Sequence, residues 1–156
     1  MKLVAAPDKF RGTATAREMA AAIGRAAATA GADCIEVPMA DGGEGLLDVL
    51  GGPDRSTVVT GPLGDPVEAG WRLDRGTAVI EMARVAGLEL AGGADGNHPL
   101  DATTAGVGEL ILSAVESGAR RVVVGMGGSA TTDGGLGAID AMGSQARYRG
   151  VEILVA

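Results

Sequence analysis

The sequence predicts an α/β protein in two parts, a partial parallel sheet with helices on its faces over residues 1–60 and a second α/β unit over residues 61–156, both incomplete. Three observations lead there. From Lys2 to Leu50, strand-like and helix-like runs alternate as β-α-β-α, the grammar of a parallel sheet. After Thr60 the linkers shorten to Gly61-Pro62-Leu63-Gly64-Asp65-Pro66 and Asp74-Arg75-Gly76, turns tight enough to favour antiparallel neighbours. Hydrophobic residues make up 46% of the chain, yet only Phe10, Trp71 and Tyr148 are aromatic, so Ala, Val, Leu, Ile and Met must fill the core.

Each element has its own signal. Lys2 to Ala6 reads as a short buried strand stopped by Pro7, and Thr13 or Thr15 can cap the alanine-rich helix that Gly31 closes. Ile35, Val37 and Met39 alternate as a second strand. The polar loop Ala40-Asp41-Gly42-Gly43-Glu44-Gly45 leads into a short helix over Leu46 to Leu50, ended by Gly51-Gly52-Pro53. Ser56 to Thr60, Val67 to Leu73 and Thr77 to Met82 are three strand-like runs. Beyond the loop Ala91 to Asp101, Val107, Leu110, Ile111 and Ala114 recur at helical spacing between about Thr104 and Ser117. Arg121 to Val124 reads as a buried strand, Leu136 to Met142 as a helix, and Gly150 to Ala156 as a last buried strand.

At 156 residues the chain holds one ordinary core or pieces of two. Thirteen basic against twenty acidic residues give a formal charge of −7 with no Lys/Arg run, which argues against a nucleic-acid partner. The single cysteine, Cys34, excludes a disulfide framework and a CxxC metal site, and its apolar run makes it a buried small hydrophobe. No window approaches the roughly 18 apolar residues of a membrane span, and Met1-Lys2-Leu3-Val4 enters a strand without a signal peptide. The expected compartment is the cytoplasm, with no membrane partner.

Three segments carry chemistry. Val122 to Gly135 is a strand, a glycine and hydroxyl loop, then a helix, and glycine amides can approach an anion closely because no Cβ intervenes. Gly127, Gly128, Ser129, Thr131 and Thr132 are therefore the candidate phosphate-binding residues. No Gly-Lys-[Ser/Thr] follows, which disfavours a Walker-type ATPase. Gly125-Met126-Gly127-Gly128-Ser129-Ala130 fits the looser G-x-G-x-x-A dinucleotide pattern, but residues 143 to 150 hold no acid where that fold wants one. Asp41-Gly42-Gly43-Glu44-Gly45 sets two carboxylates at a strand's end, where phosphoryl transfer needs an acid to orient a hydroxyl or hold Mg²⁺; alternatively Asp41 serves a turn and Glu44, in the first helical turn, meets the helix dipole. Pro7-Asp8-Lys9-Phe10-Arg11-Gly12-Thr13 places two cations and a carboxylate at the sheet's carboxyl edge, where α/β folds bind ligands. Asp8, Lys9 and Arg11 are candidate substrate-binding residues, joined by Glu81, an acid inside the apolar run Ala78 to Ala83.

Taken together, these segments resemble the bacterial glycerate kinase family of two α/β domains. The blocks are Pro7-Asp8-x-Phe10-x-Gly12, Asp41-Gly42-Gly43-Glu44-Gly45, Pro62-Leu63-Gly64-x-Pro66-Val67, Val79-Ile80-Glu81-Met82-Ala83, Thr103-Thr104-x-Gly106-x-Gly108-Glu109 and Gly127-Gly128-Ser129-Ala130-Thr131-x-Asp133-Gly134-Gly135. Lys9, Arg11, Ala105 and Thr132 depart from the commoner pattern. The resemblance implies a Rossmann-like domain interrupted by an inserted second domain, and phosphorylation of D-glycerate to phosphoglycerate with ATP and Mg²⁺. Asp41 or Asp133 would then orient the hydroxyl or share the Mg²⁺, both loops facing one cleft. The rivals are an NAD-dependent oxidoreductase using the G-x-G-x-x-A loop and a non-catalytic binding module. The resemblance also leads to the expectation that an internal stretch is missing near residues 144 to 150 and that these 156 residues are inactive alone.

Overall fold

The computed structural model describes residues 1–156 as a mixed α/β protein with two sheets. In the first, β1 (Lys2–Ala5) and β2 (Asp33–Glu36) run parallel, with Val4 opposite Ile35. The crossover between them is α1 (Ala16–Thr29), whose inner face buries only the methyls of Ala16, Ala20 and Ala27. Of the two candidate caps, Thr15 takes the position. Its hydroxyl accepts the Glu18 amide at 3.2 Å while Glu18 Oε2 accepts the Thr15 amide at 2.8 Å, a reciprocal capping box. The pair of strands buries one face only: Ala5 is buried, whereas Val4 is 66% and Ile35 59% exposed, so β1 is not the fully buried strand its composition suggests. Cys34 is a half-buried free thiol. The chain then passes through the Asp41–Gly45 loop into the single turn α2 (Leu46–Val49).

The second sheet has five strands in sequence order. β3 (Arg55–Thr60), β4 (Pro66–Asp74) and β5 (Thr77–Glu81) are antiparallel, while β6 (Arg121–Gly125) and β7 (Glu152–Val155) run parallel to β5. Linker length explains the mixture. Asp74-Arg75-Gly76 can only close a hairpin, whereas the connections after β5 and β6 are long enough for crossovers. Because β3 pairs with β4, the change of sheet falls between Glu36 and Arg55, ahead of the boundary expected at residue 60.

The β5-to-β6 crossover holds two single turns, α3 (Ala83–Ala86) and α4 (Gly93–Gly96), and then α5 (Ala105–Glu116). Val107, Leu110, Ile111 and Ala114 of α5 pack on Val59, Ala69, Trp71, Ala78, Ile80, Val122 and Val124 of the sheet. This is the main core, and burying Leu110 or Ile80 completely stabilises it by about 1.5–3 kcal/mol each. Trp71, the one large aromatic within it, keeps its Nε1–H satisfied by donating to Thr57 Oγ1 at 3.0 Å. The β6-to-β7 crossover is α6 (Leu136–Met142) followed by a 3₁₀ turn over Gln145–Tyr148. β7 forms the expected strand but lies at the sheet edge with all four residues exposed, because it has β6 on one side only. No helix is long and apolar enough to cross a membrane.

Candidate active site

The two sheets meet through backbone. Gly127 N–H donates to Gly42 O at 3.1 Å, bringing the loop after β6 onto the loop after β2. A Cβ on Gly127 would overlap Gly43 Cα and stand 2.9 Å from Gly43 N, so only glycine allows this approach. Glu44 from one loop and Gly128 and Ser129 from the other line a common hollow, whereas Asp41 and Asp133 are not among its lining residues. Beside their junction lies a cleft of about 680 Å³, lined by Lys9, Arg11, Thr13, Glu44, Gly128 and Ser129 among others.

Gly128, with φ of +76°, turns the chain so that Gly128 O accepts Leu88 N–H and Ala130 N–H donates to Ala86 O. The intervening amides of Gly128 and Ser129 donate to no protein group. Two consecutive free amides on a glycine turn at a cleft are a ready anion acceptor. The Ser129 hydroxyl bonds Thr131 Oγ1 at 3.1 Å and accepts the Thr131 amide, so Thr131 braces Ser129. Thr132 is corrected: its hydroxyl donates to Pro99 O at 2.8 Å and its amide to the same oxygen, which pins the outer loop and leaves Thr132 outside the cleft.

On the other wall, Lys9 Nζ donates to Asp41 Oδ1 at 2.9 Å and has a side chain only 13% exposed. Asp41 Oδ1 also accepts Gly43 N–H at 3.0 Å, while Oδ2 makes no hydrogen bond. The Lys9 hydrogen bond, helped by the Gly43 amide, holds the Asp41 carboxyl below the usual aspartate range. Asp8 Oδ1 accepts the Lys9 amide at 2.7 Å and lines the neighbouring hollow behind Lys9. Arg11 donates to no protein group and stands in the cleft as an uncommitted cation.

Two further expectations are corrected. Asp133, expected to be catalytic or metal-facing, accepts four hydrogen bonds: from Thr104 N–H and Oγ1–H at 2.8 Å each, from Gly137 N–H at 3.2 Å and from Gly135 N–H at 3.0 Å. Burial pushes its carboxyl up, but the Thr104 and glycine donors outweigh this and leave it below the ordinary value. With both oxygens committed, Asp133 ties the start of α6 to the start of α5. Glu81, expected to bind substrate, is 2% exposed and gives its oxygens to Gly45 N–H at 3.0 Å and Leu47 N–H at 3.1 Å. Glu109 likewise holds Thr60 through its amide and hydroxyl.

Glu44 is the residue sequence reasoning missed. On sequence it has no specific role beyond a helix-dipole alternative, yet its carboxylate makes no protein hydrogen bond, lines the cleft, and lies beside Gly128, where an added Cβ would stand 2.9 Å from Glu44 Oε1. The signal was available: of the two acids in Asp41-Gly42-Gly43-Glu44-Gly45, only one can cap the turn, leaving the other free. The dinucleotide reading loses its geometry, since α6 begins only at Leu136, well past Ala130, and the Gly127 amide is used by Gly42.

Residues 3–153 match the model of the glycerate kinase family. The chain belongs to that family. Among relatives, the glycerate kinase of Bacillus subtilis is 48% identical over 93% of this chain and 40% of its own length. The glycerate 2-kinase of Escherichia coli is 46% identical with the same coverage of each chain. A crystal structure described as glycerate kinase 2 from Salmonella typhimurium superposes with a TM-score of 0.73 at 37% identity, covering all of this chain and 44% of the other. The chain thus spans about two fifths of the length of the curated glycerate kinases it matches.

Proposed function

We propose that this chain supplies part of the site of an ATP-dependent kinase that phosphorylates D-glycerate. One observation carries the reading: in a chain of the glycerate kinase family, the free amides of Gly128 and Ser129 and the cations Lys9 and Arg11 line one cleft beside the junction of two glycine loops. Amides fixed before reaction suit the charge that develops on a transferring phosphoryl group, because they need no reorganisation. Arg11 meets the glycerate carboxylate or a phosphate oxygen with paired donors. Lys9, held by Asp8 and Asp41, offers its remaining N–H donors to the same anions.

The substrate hydroxyl oxygen attacks the γ-phosphorus as the bond to the bridging oxygen of ADP breaks. The hydroxyl proton is accepted at Asp41 Oδ2 or passed to solvent. Because Asp41 titrates below the usual aspartate range, its part is to orient the hydroxyl rather than to remove the proton in advance; an efficient base titrates near the working pH. Mg²⁺ fits here on the chemistry of the donors: it takes one or two carboxylates and completes its shell with phosphates and water. Asp41 Oδ2 and the Glu44 carboxylate accept no protein hydrogen bond, whereas each Asp133 oxygen already accepts at least one. Bound there, Mg²⁺ would neutralise phosphate charge. The name of the Escherichia coli relative supports the 2-hydroxyl as the position phosphorylated, and the cytoplasm is the proposed compartment. The division into a Rossmann-like first domain and a second domain also stands as a proposal, its boundary moved ahead of Arg55.

The test is ADP release dependent on D-glycerate, run beside the Bacillus subtilis relative as positive control, with product position read by phosphorus NMR. A nicotinamide absorbance change instead would replace the kinase with the oxidoreductase, and ligand binding with neither signal would support the binding module.

A further inference from the structure

We propose, resting on the kinase reading, that Glu81 is a positioning residue that sets where the Asp41–Gly45 loop stands against the Gly127–Ser129 loop. Glu81 ends β5 in the second sheet, yet both its carboxylate oxygens are spent on amides of the chain that follows the first sheet, Gly45 N–H at 3.0 Å and Leu47 N–H at 3.1 Å. A carboxylate 2% exposed is an expensive way to cap a single helical turn. Its countercharge is arranged as part of the same strut: Arg84 Nε lies 3.5 Å from Glu81 Oε2, Arg84 Nη2 reaches Asp48 Oδ1 at 3.0 Å, and Arg17 Nη2 donates to Asp48 O at 2.9 Å.

The anchored amides flank the functional residues. Gly45 directly follows Glu44, and two residues before Glu44 the Gly42 carbonyl receives the Gly127 amide. Fixing Gly45 and Leu47 to β5 therefore fixes Glu44 beside Gly128 and Gly42 under Gly127. Gly125, at the end of the neighbouring strand β6, packs its backbone on Gly42 and on Leu46 from the other side. Glu81 does not line the cleft of Lys9, Arg11 and Ser129 and acts through the loop.

The test compares the wild-type chain with Glu81→Gln by amide hydrogen exchange and amide NMR. Glutamine keeps the volume and one acceptor but sets its own N–H₂ against a backbone N–H. Gly45 and Leu47 are expected to exchange about tenfold faster or more, the loss of one hydrogen bond to a charged group, while Leu110 and Val122 in the core keep their protection. The decisive signal is Gly127, which Glu81 does not touch: its amide resonance shifts and its protection falls if Glu81 positions the junction. An unmoved Gly127, with only Gly45 and Leu47 affected, would reduce Glu81 to a helix cap and overturn the proposal, as would uniform loss of protection. If Glu81→Gln does not fold, Glu81→Asp keeps the charge, shortens the reach by one methylene, and must move the same three amides. ADP formation decides the kinase reading separately: a chain without turnover but with the Gly127 response loses the kinase and keeps Glu81 as organiser of the junction.

Discussion

Replacing Gly127 by alanine attacks the contact that joins the two sheets. The added Cβ overlaps Gly43 Cα and lies 2.9 Å from Gly43 N, while carbon contacts relax at about 3.5–4.0 Å, so the loops must part by roughly 1 Å. That movement stretches the Gly127 N–H to Gly42 O bond from 3.1 Å past the hydrogen-bond range. The lost bond is worth about 0.5–1.5 kcal/mol and overpacking adds about 1–3 kcal/mol, giving a destabilisation of about 1.5–4.5 kcal/mol. For a chain of this size that is a fall in melting temperature on the order of 3–18 °C. Urea denaturation followed by circular dichroism measures it, and calorimetry with ATP reads the second effect, weaker nucleotide binding as Gly128 and Ser129 move with the loop. A Gly127→Ala chain within about 0.5 kcal/mol of wild type, the range of an inconsequential surface change, would show that the loops do not touch as described.

Thr104→Val keeps the shape but removes the hydroxyl that donates to Asp133 and accepts Ala138 N–H at 3.0 Å. An expected loss of about 1.5–3 kcal/mol in urea titration, without change in ATP affinity, separates this latch from the cleft. Asp133 has a depressed folded value, so its contribution to stability is present above its ordinary value of 3.8 and is lost as pH falls through the folded value. Asp133→Asn is therefore expected to lower stability at pH 7 and to flatten the acid limb below about pH 4, measured by melting temperature against pH. Arg11→Ala, an exposed cation with no protein partner, should leave stability within about 0.5 kcal/mol and weaken D-glycerate or ATP binding about tenfold, read by calorimetry.

Element positions were legible because local signals agreed with the packing. The Thr15 cap, Gly31, the hairpin turn at Asp74-Arg75-Gly76 and the apolar spacing of α5 each marked a boundary within a few residues. The single turns α3 and α4 and the 3₁₀ turn carry no periodicity over so few residues and left no pattern to find. Within the site, sequence showed which acids stand at loop and strand ends but not which amides they face. Glu81 and Asp133 look like Asp41 on paper, and only the chain path shows that backbone N–H donors engage both oxygens of each, while Asp41 Oδ2 and the Glu44 carboxylate accept no protein hydrogen bond. The exposure of Val4, Ile35 and Val155 was equally hidden, since an apolar run records what a strand can bury and not what lies across from it.

The anion-binding cleft proposed above is built from the Gly127–Ser129 loop and the Lys9–Arg11 segment. Titrating the isotopically labelled chain with ATP and Mg²⁺, then with D-glycerate, and following every backbone amide tests it most directly. Saturable shifts at Gly128 and Ser129, with Gly43 and Glu44 moving alongside and Arg11 responding to D-glycerate, are the expected result. Shifts confined to another surface, such as the Asp74-Arg75-Gly76 turn, or no saturable shift at Gly128 and Ser129, would contradict it.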